Sequence, residues 1–257
     1  MSARRRSALL PVLPLLLAAC AGGGGQDAGD ASPEAIPTAS LASAEPSVGS
    51  SPSVRPLRNP DVDPGVPEIL EPGAYVLDRF PVDLAFDIPD GEPPGWHAGQ
   101  ATENTAIVLW YTPPDITYLF AFWNVDNVYV DPCDAAAGEL EPPIGPSVDD
   151  LVAALSSLPG IQATAPVDVT VGAFRGKEIE LTTLDFGNCP NVTVFSPGDA
   201  TDPGLVNPLD GETFRVQILD VDGVRIVLYT AEPAERDAAA ESERQQILNS
   251  IRIEALP

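Results

Sequence analysis

The sequence predicts an α+β domain in which a mainly antiparallel β-sheet is covered by two helices. Apolar and polar residues alternate with the period of a half-buried strand in several runs, and two of these runs flank a turn at Asp222-Gly223. The order of elements agrees, since strands come first, then a helix, then further strands and a terminal helix. This grouping is typical of α+β folds.

The predicted strands with the clearest patterns lie in the first half of the domain. Residues 80–88 are apolar at every even position, which is the alternation of a half-buried strand. Further apolar runs at 106–111, 116–123 and 127–130 are rich in β-branched and aromatic residues. Pro113-Pro114 and Asp126 bound these runs, so they favour strands over helices.

The first predicted helix has a marked start and end. Ser147 and Asp150 have the spacing of a capping box, with Asp in place of the usual Glu or Gln. Apolar residues at 148, 151, 152, 155 and 158 then fall on one helical face. Pro159-Gly160 is expected to end the helix.

The second half of the domain predicts more strands and a terminal helix. Alternation at 167–171 and 179–183 predicts two strands, with an expected turn at residues 175–177. The runs 214–219 and 224–229 form a hairpin around Asp222-Gly223. Residues 233–250 are expected to be helical, with Ala240, Ile247, Leu248 and Ile251 on one side, before a short end piece at 252–255.

Both ends of this domain resemble those of exported PsbP-like domains, including those of actinobacterial lipoproteins. The opening strand 80–88 runs into Pro89-Asp90-Gly91 and Gly95-Trp96, and the terminal helix runs into residues 246–253 (QILNSIRI). In that family a strand with a Pro-x-Gly-Trp-type turn opens the domain, and a helix followed by a short strand closes it. The resemblance implies a PsbP-like, non-catalytic accessory or binding domain.

The N-terminus resembles the lipoprotein signal peptide of bacteria. Arg4, Arg5 and Arg6 precede an apolar run at residues 8–17, and Leu-Ala-Ala-Cys at 17–20 resembles a lipobox. The run is too short for a membrane-spanning helix, which needs about 20 apolar residues. The alternative is an ordinary secretory signal. The lipobox resemblance implies a signal peptide at 1–19, lipidation at Cys20, and an extracytoplasmic protein that its N-terminal lipid anchors to a bacterial membrane.

Composition divides the remaining chain into a tether and a head. Residues 20–72 contain glycine, acidic residues and nine prolines from Pro33 onward, and no aromatic residue precedes Tyr75, which predicts a disordered tether. Residues 73–257 are predicted to form a single globular domain. Loss of residues 1–19 removes three arginines and no acid, so the net charge moves from −25 to −28. This charge excludes nucleic acid as an expected partner.

The cysteines predict one disulfide. If Cys20 is lipidated, Cys133 and Cys189 remain as a pair in an exported protein, where oxidation is permitted. The bridge would close a loop of 57 residues, and loop entropy assigns it about 4 kcal/mol. Metal binding or nucleophilic chemistry is the alternative, but no histidine accompanies these cysteines at zinc-ligand spacing.

The sequence predicts no catalytic residue, no metal site and no cofactor site. His97 is the only histidine and Lys177 the only lysine, and both are expected in turns. A partial calcium-loop pattern at Asp220-x-Asp222-Gly223 is better explained by a hairpin turn. Other loop acids, Asp126, Asp131, Asp134, Asp199 and Asp202, are interpreted as solvated side chains.

Three functions follow as hypotheses. The first is a non-catalytic binding or interaction module of the cell envelope, with an unknown envelope protein or ligand as its partner. The second is a carrier of lipid or another apolar small molecule, in which Tyr118, Phe120 and Phe122 would line a cavity instead of filling the core. The third is an envelope hydrolase with an unidentified carboxylate pair.

Overall fold

Antiparallel strands make up most of the secondary structure in the described part of the chain. The computed structural model describes residues 54–58, 68–91, 95–112, 115–184, 189, 192–197, 204–205, 213–231 and 238–254. Its strands are β1 (Arg55–Pro56), β2 (Glu68–Ile69), β3 (Gly73–Leu77), β4 (Asp83–Ile88), β5 (Trp96–Ala101), β6 (Thr105–Thr112), β7 (Asp115–Asn124), β8 (Asn127–Val128), β9 (Ile161–Ala163), β10 (Val167–Val171), β11 (Phe174–Thr183), β12 (Thr193–Ser196), β13 (Gly204–Leu205), β14 (Thr213–Val221), β15 (Val224–Ala231) and β16 (Arg252–Glu254). The helices are α1 (Val148–Ser156) and α2 (Ala238–Ser250). The mainly antiparallel sheet and the two helices are confirmed.

The strands form three sheets. The largest runs in the order β10-β11-β14-β15-β7-β6-β5-β2, with β9 also paired to β11. A second has the order β1-β3-β4-β16, in which only β1 and β3 are parallel. A third, β13-β12-β8, is short. Because β16 pairs with β4, the chain terminus lies beside the strand that opens the predicted domain.

Each face of the large sheet packs against its own apolar core. The first core contains Phe120 and Phe122 of the sheet, strand β4 and buried residues of α2 such as Ile247. The second contains Trp123 of the sheet, α1 and the short third sheet. The prediction named only helices as the cover of the sheet, whereas in the structure a smaller sheet also helps to cover each face.

The local signals for α1 and for the β14–β15 hairpin are confirmed. The Ser147 hydroxyl accepts from the Asp150 backbone N–H at 3.1 Å, and the Asp150 carboxylate accepts from the Ser147 N–H at 3.0 Å. In the hairpin, Asp222 and Gly223 have φ of 50° and 91°, as a type I′ turn requires.

The expected turn at residues 175–177 is wrong. These residues lie inside β11, and the turn is formed by Gly172, with φ of 59°, and Ala173. Gly176 serves a different purpose, because a Cβ at this position would overlap the carbonyl oxygen of Ile218 on β14. The glycine therefore marks a close approach of two strands, which is the other common use of glycine in a sheet.

The fold also begins before the predicted boundary at residue 73. Strand β1 pairs with Tyr75–Val76 and β2 pairs with His97–Ala98, although both belong to the predicted tether at 20–72. Leu57 and Leu70 follow these strands and are buried in the first core. Burial of a leucine contributes about 1.5–3 kcal/mol, which offsets the ordering of such short segments. The other residues of 1–72 lie outside the described residues, apart from 54, 58, 71 and 72.

A buried arginine joins β15 to the loops around α1. The Arg225 guanidinium is 8% exposed and donates to the carbonyl oxygens of Val125, Asp126, Gly145 and Ser147. Burial lowers its pKa, while the nearby carboxylates of Asp126 and Asp150 act in the opposite direction. One side chain thus fixes the end of β7 and the residue that caps α1.

We expect Arg225→Met to destabilise the protein strongly. Methionine fills a similar volume but leaves several buried carbonyl groups without their donor, so the free energy of unfolding should fall by about 3 kcal/mol or more. Urea denaturation measures this loss. The control is Arg252→Met, because the Arg252–Asp87 pair is half-exposed and such pairs contribute about 1 kcal/mol or less. Equal losses in the two variants would contradict the assigned role of Arg225.

Candidate functional site

A cleft of about 330 Å³ lies between α2 and the end of the large sheet that carries β10. It is bounded by the strand side chains and backbone of one sheet face and by one side of the helix. The residues that line it are Thr170, Val171, Gly172, Arg215, Gln217, Leu228, Thr230, Arg244, Gln245, Leu248, Asn249 and Ile251. A cleft of this volume fits a small molecule.

Strand alternation places the polar side chains in the cleft. On β14, Phe214, Val216 and Ile218 belong to the second core, so Arg215 and Gln217 lie on the opposite face, toward the cleft. On α2, Arg244 and Leu248 are one helical turn apart and therefore share a face.

The cleft arginine of the sheet is paired with carboxylates on the neighbouring strand. Arg215 lies directly opposite Glu180, with a guanidinium-to-carboxylate distance of 3.2 Å, and its Nε is 3.4 Å from Glu178. Gln217 donates to the other Glu178 oxygen at 2.6 Å. Cross-strand pairing thus holds the Arg215 and Gln217 side chains in place.

The cleft arginine of the helix is buried. Arg244 is 3% exposed and forms an ion pair of 2.7 Å with Glu241 on the preceding turn of α2. A buried guanidinium needs such a partner because desolvation of an unpaired charge is costly. Arg215 and Arg244 therefore line the cleft as guanidinium groups whose charge is offset by glutamates.

The lining mixes polar and apolar groups. Its described residues combine guanidinium, amide and hydroxyl groups with the apolar side chains of Val171, Leu228, Leu248 and Ile251. These lining residues include no Ser, Cys, His, Lys, Asp or Glu, and their only hydroxyl groups are those of Thr170 and Thr230. The arrangement can orient a polar ligand through its guanidinium and amide groups.

The residues singled out for covalent chemistry lie elsewhere. Cys133 and Cys189 form the predicted disulfide, with Cα atoms 5.3 Å apart, and both pack against the second core. The bridge joins the loop after β8 to the segment between β11 and β12. It is compatible with an extracytoplasmic location. Cys20 lies outside the described residues.

The only histidine and the only lysine of the sequence lie in strands, although both were expected in turns. His97 lies in β5, buried to 5% exposure, with Nδ1 3.0 Å from the carbonyl oxygen of Gly95. Lys177 lies in β11 and is paired with Asp168 at 2.6 Å, which lowers the pKa of Asp168 and raises that of Lys177. Neither residue lines the cleft.

The candidate calcium ligands have structural partners. Asp220 accepts from the Gly223 N–H at 2.7 Å, within the hairpin turn. Asp131 accepts from the Cys133 N–H, and Asp134 caps the 3-10 turn Ala135–Ala137. Asp199 and Asp202 lie outside the described residues. Among the described residues, there is no group of three or more His, Cys, Asp or Glu side chains that could hold a metal ion.

The three aromatic residues of the carrier hypothesis are in the core. Tyr118, Phe120 and Phe122 are at most 1% exposed. Phe120 contacts Phe86 edge-on, with ring centroids 5.6 Å apart, and also packs on Trp96. These side chains fill the first core and do not line the cleft.

Sequence reasoning missed the cleft residues, although Arg244 left a signal. Arg215 and Gln217 are the polar half of a regular alternation, so the sequence gives no sign that they face a cleft and not open solvent. Arg244 lies four residues from both Ala240 and Leu248, so it falls on the face predicted to be apolar. A charged residue on an apolar face is an informative observation.

Comparisons with known proteins give little beyond this geometry. No protein-family model matches the chain, and no curated protein matches it. A crystal structure from Bacteroides thetaiotaomicron is similar over 66% of this chain, at 10% sequence identity and a TM-score of 0.34. The similarity spans 44% of that protein, so this chain matches less than half of its length.

Within the part of the chain that the structure describes, neither helix has the length and apolar character needed to cross a membrane.

We expect protonation of His97 to destabilise the fold. Burial lowers its pKa, although the hydrogen bond to Gly95 acts in the opposite direction. Below the unfolded-state pKa of about 6.5, the unfolded chain takes up the proton more readily, so stability is lost as pH falls from there toward the folded-state pKa. The slope reaches at most about 1.4 kcal/mol per pH unit.

Urea denaturation between pH 7.5 and 5 measures this effect, and His97→Gln should flatten the curve. The carboxyl groups of Asp87, Asp150 and Asp168 do not interfere, because their pKa values are lowered further below the window by Arg252, Ser147 and Lys177. A wild-type curve that is already flat over this range would contradict the prediction.

Proposed function

We propose that this protein is a lipid-anchored extracytoplasmic lipoprotein, with a PsbP-like head that acts as a non-catalytic binding module of the cell envelope. The observation that carries the proposal is the cleft beside α2, whose described lining offers guanidinium and amide groups and apolar contacts without a histidine, cysteine, lysine or carboxylate. Convergent polar groups in an apolar-floored cleft are the usual signature of a ligand site.

The membrane anchor is supported by the N-terminal sequence. The arginines, the short apolar run and the Leu-Ala-Ala-Cys sequence have the layout of a lipoprotein signal. The disulfide between the two remaining cysteines is consistent with export. The strongly acidic composition gives the head no electrostatic attraction to an anionic membrane, so the lipid would provide the attachment.

The cleft favours a small polar ligand that is rich in hydrogen-bond acceptors. Arg215 and Arg244 carry donors, and Gln217, Gln245 and Asn249 add amides that both donate and accept. Glutamates already pair with both guanidinium groups, so the cleft does not favour a highly charged anion. Leu228 and Leu248 provide apolar contact area beneath these groups.

Two observations favour this function over the alternatives. A carrier of apolar molecules needs an apolar cavity, but the aromatic residues that would line it are packed in the core. A glycoside hydrolase needs a pair of carboxyl groups that flank the bond to be cleaved, and the described residues that line the cleft include no Asp or Glu.

The anchor is tested by Cys20→Ser. We expect the wild-type protein to enter the detergent phase and its N-terminal peptide to carry the mass of a diacylglycerol, whereas the variant enters the aqueous phase. The control is the double variant Cys133→Ser, Cys189→Ser, which lacks the disulfide but keeps Cys20. If Cys20→Ser enters the detergent phase as fully as wild type, the lipid anchor is refuted.

The binding cleft is tested by filling it. Asn249→Trp places a large ring at an exposed lining position, so it should occupy the cleft without entering the core. Native mass spectrometry of protein purified gently from its own envelope, and of protein mixed with a panel of small polar molecules, should show bound ligand for wild type. The variant should lose at least about tenfold in affinity, equivalent to 1.4 kcal/mol.

The matched control is Gln246→Trp, an exposed helix position that does not line the cleft. It should bind as wild type does. If both tryptophan variants retain the ligand, the cleft is not the binding site. If gently purified wild type carries no ligand and binds none from the panel, the binding function itself loses its support.

A further inference from the structure

The exposed edge of the large sheet is a second surface that can bind a partner. Strand β10 is the last strand of that sheet, and the residues that the structure describes place no strand beside its outer edge. It has the sequence Val-Asp-Val-Thr-Val, and Val167 is 54% exposed. Edge strands carry unpaired backbone groups that can accept another strand.

Hairpin geometry defines which backbone groups face outward. The two-residue turn Gly172-Ala173 connects β10 to β11, so the flanking pair Val171–Phe174 is hydrogen-bonded. Hydrogen-bonded pairs recur at every second residue, which directs the N–H and C=O groups of Val169 and Val167 toward β11 as well. The N–H and C=O groups of Asp168 and Thr170 therefore point away from the sheet.

These outward groups match those of a second copy of the same strand. In an antiparallel pair with Val169 opposite Val169, each Asp168 lies opposite Thr170 of the second copy. Asp168 and Thr170 are the residues whose backbone groups point outward. In each such pair, the N–H of one residue can therefore donate to the C=O of the other, in both directions. The Val169 residues then form the pair whose side chains approach most closely, and Val167 lies opposite Val171. The strand is thus complementary to itself in side chains and in backbone register.

The edge also lacks the charge that usually prevents such pairing. Asp168 is the only charged residue of β10, and Lys177 of the same hairpin already pairs with it at 2.6 Å. Natural edge strands commonly use an unpaired charge or a proline to block association. Here Pro166 precedes the strand and limits the pairing to its five residues.

We propose that β10 pairs with β10 of a second copy of this chain, forming a homodimer with one continuous sheet. The local twofold axis is perpendicular to the sheet, so both clefts beside α2 open on the same side. The contact is short, and in dilute solution the dimer is weak. If both copies are held on one membrane, their effective concentration rises and favours the dimer. That last step rests on the proposed anchor, whereas the strand pairing does not.

Cysteine cross-linking tests the register directly. The full chain in mild detergent is prepared as two single variants, Asp168→Cys and Thr170→Cys. Residues in a hydrogen-bonded pair have Cα atoms about 5.5 Å apart, which suits a disulfide. Under mild oxidation, an equimolar mixture of the two variants should give at least about fivefold more covalent dimer than either variant alone, because like positions do not face each other.

Two further variants test the backbone contacts. Thr170→Pro removes an outward N–H and should abolish the concentration-dependent dimer in sedimentation velocity, while Thr170→Val keeps this N–H and the dimer. Unchanged thermal melting of Thr170→Pro verifies that it is folded. If cross-linking is equal for the mixture and the single variants, or if folded Thr170→Pro dimerises as wild type does, the proposal is overturned. Because Thr170 also lines the cleft, these variants are judged on dimerisation alone, and Asn249→Trp tests ligand binding separately.

Discussion

The fold depends on a central strand that is buried on both faces. On β15, Val227 and Tyr229 belong to one core and Ile226 and Leu228 to the other. A sheet with two apolar faces needs two covers, because each exposed face would leave apolar side chains in water. The chain provides one cover from α2 and the sheet that contains β4, and the other from α1 and the short third sheet.

Arg225 shows how a charge is accommodated near one end of this strand. It lies on the doubly buried strand, yet all of its bonded acceptors in the described structure are backbone carbonyl groups of the loops at 125–126 and 145–147. An apolar side chain could fill the space, but it could not satisfy those carbonyl groups. The arginine therefore fixes the position of α1 on the sheet, and the capping box at Ser147 begins the helix at the same place.

Local signals predicted local structure well, and they failed where distant segments meet. The capping box, the Asp222-Gly223 turn and the alternation at 80–88 depend on neighbouring residues. The structure bears out the first two, and it bears out the third in its burial pattern, although the strand itself covers only Asp83–Ile88. Gly176 was interpreted as a turn because its true constraint, the approach of Ile218, lies 42 residues away along the chain. The short strands near Leu57 and Leu70 had no periodic pattern, since partner strands and not their own sequence hold them. The cleft was missed for the same reason: its lining comes from segments that only the fold brings together.

The cleft and the edge strand β10 both lie at the end of the large sheet where the apolar packing on its faces ends. Along the sheet face that carries the cleft, apolar packing gives way to the cross-strand contacts of Arg215 and Gln217 with Glu178 and Glu180. Such side chains tolerate water, so this part of the face can remain open without exposing an apolar surface. The same end of the sheet carries β10, which is the edge strand among the described residues. The disulfide and α1 instead pack against the second core, where they stabilise the opposite face. The polar residues at this end of the sheet therefore allow the face to remain open and also supply the donors for a ligand.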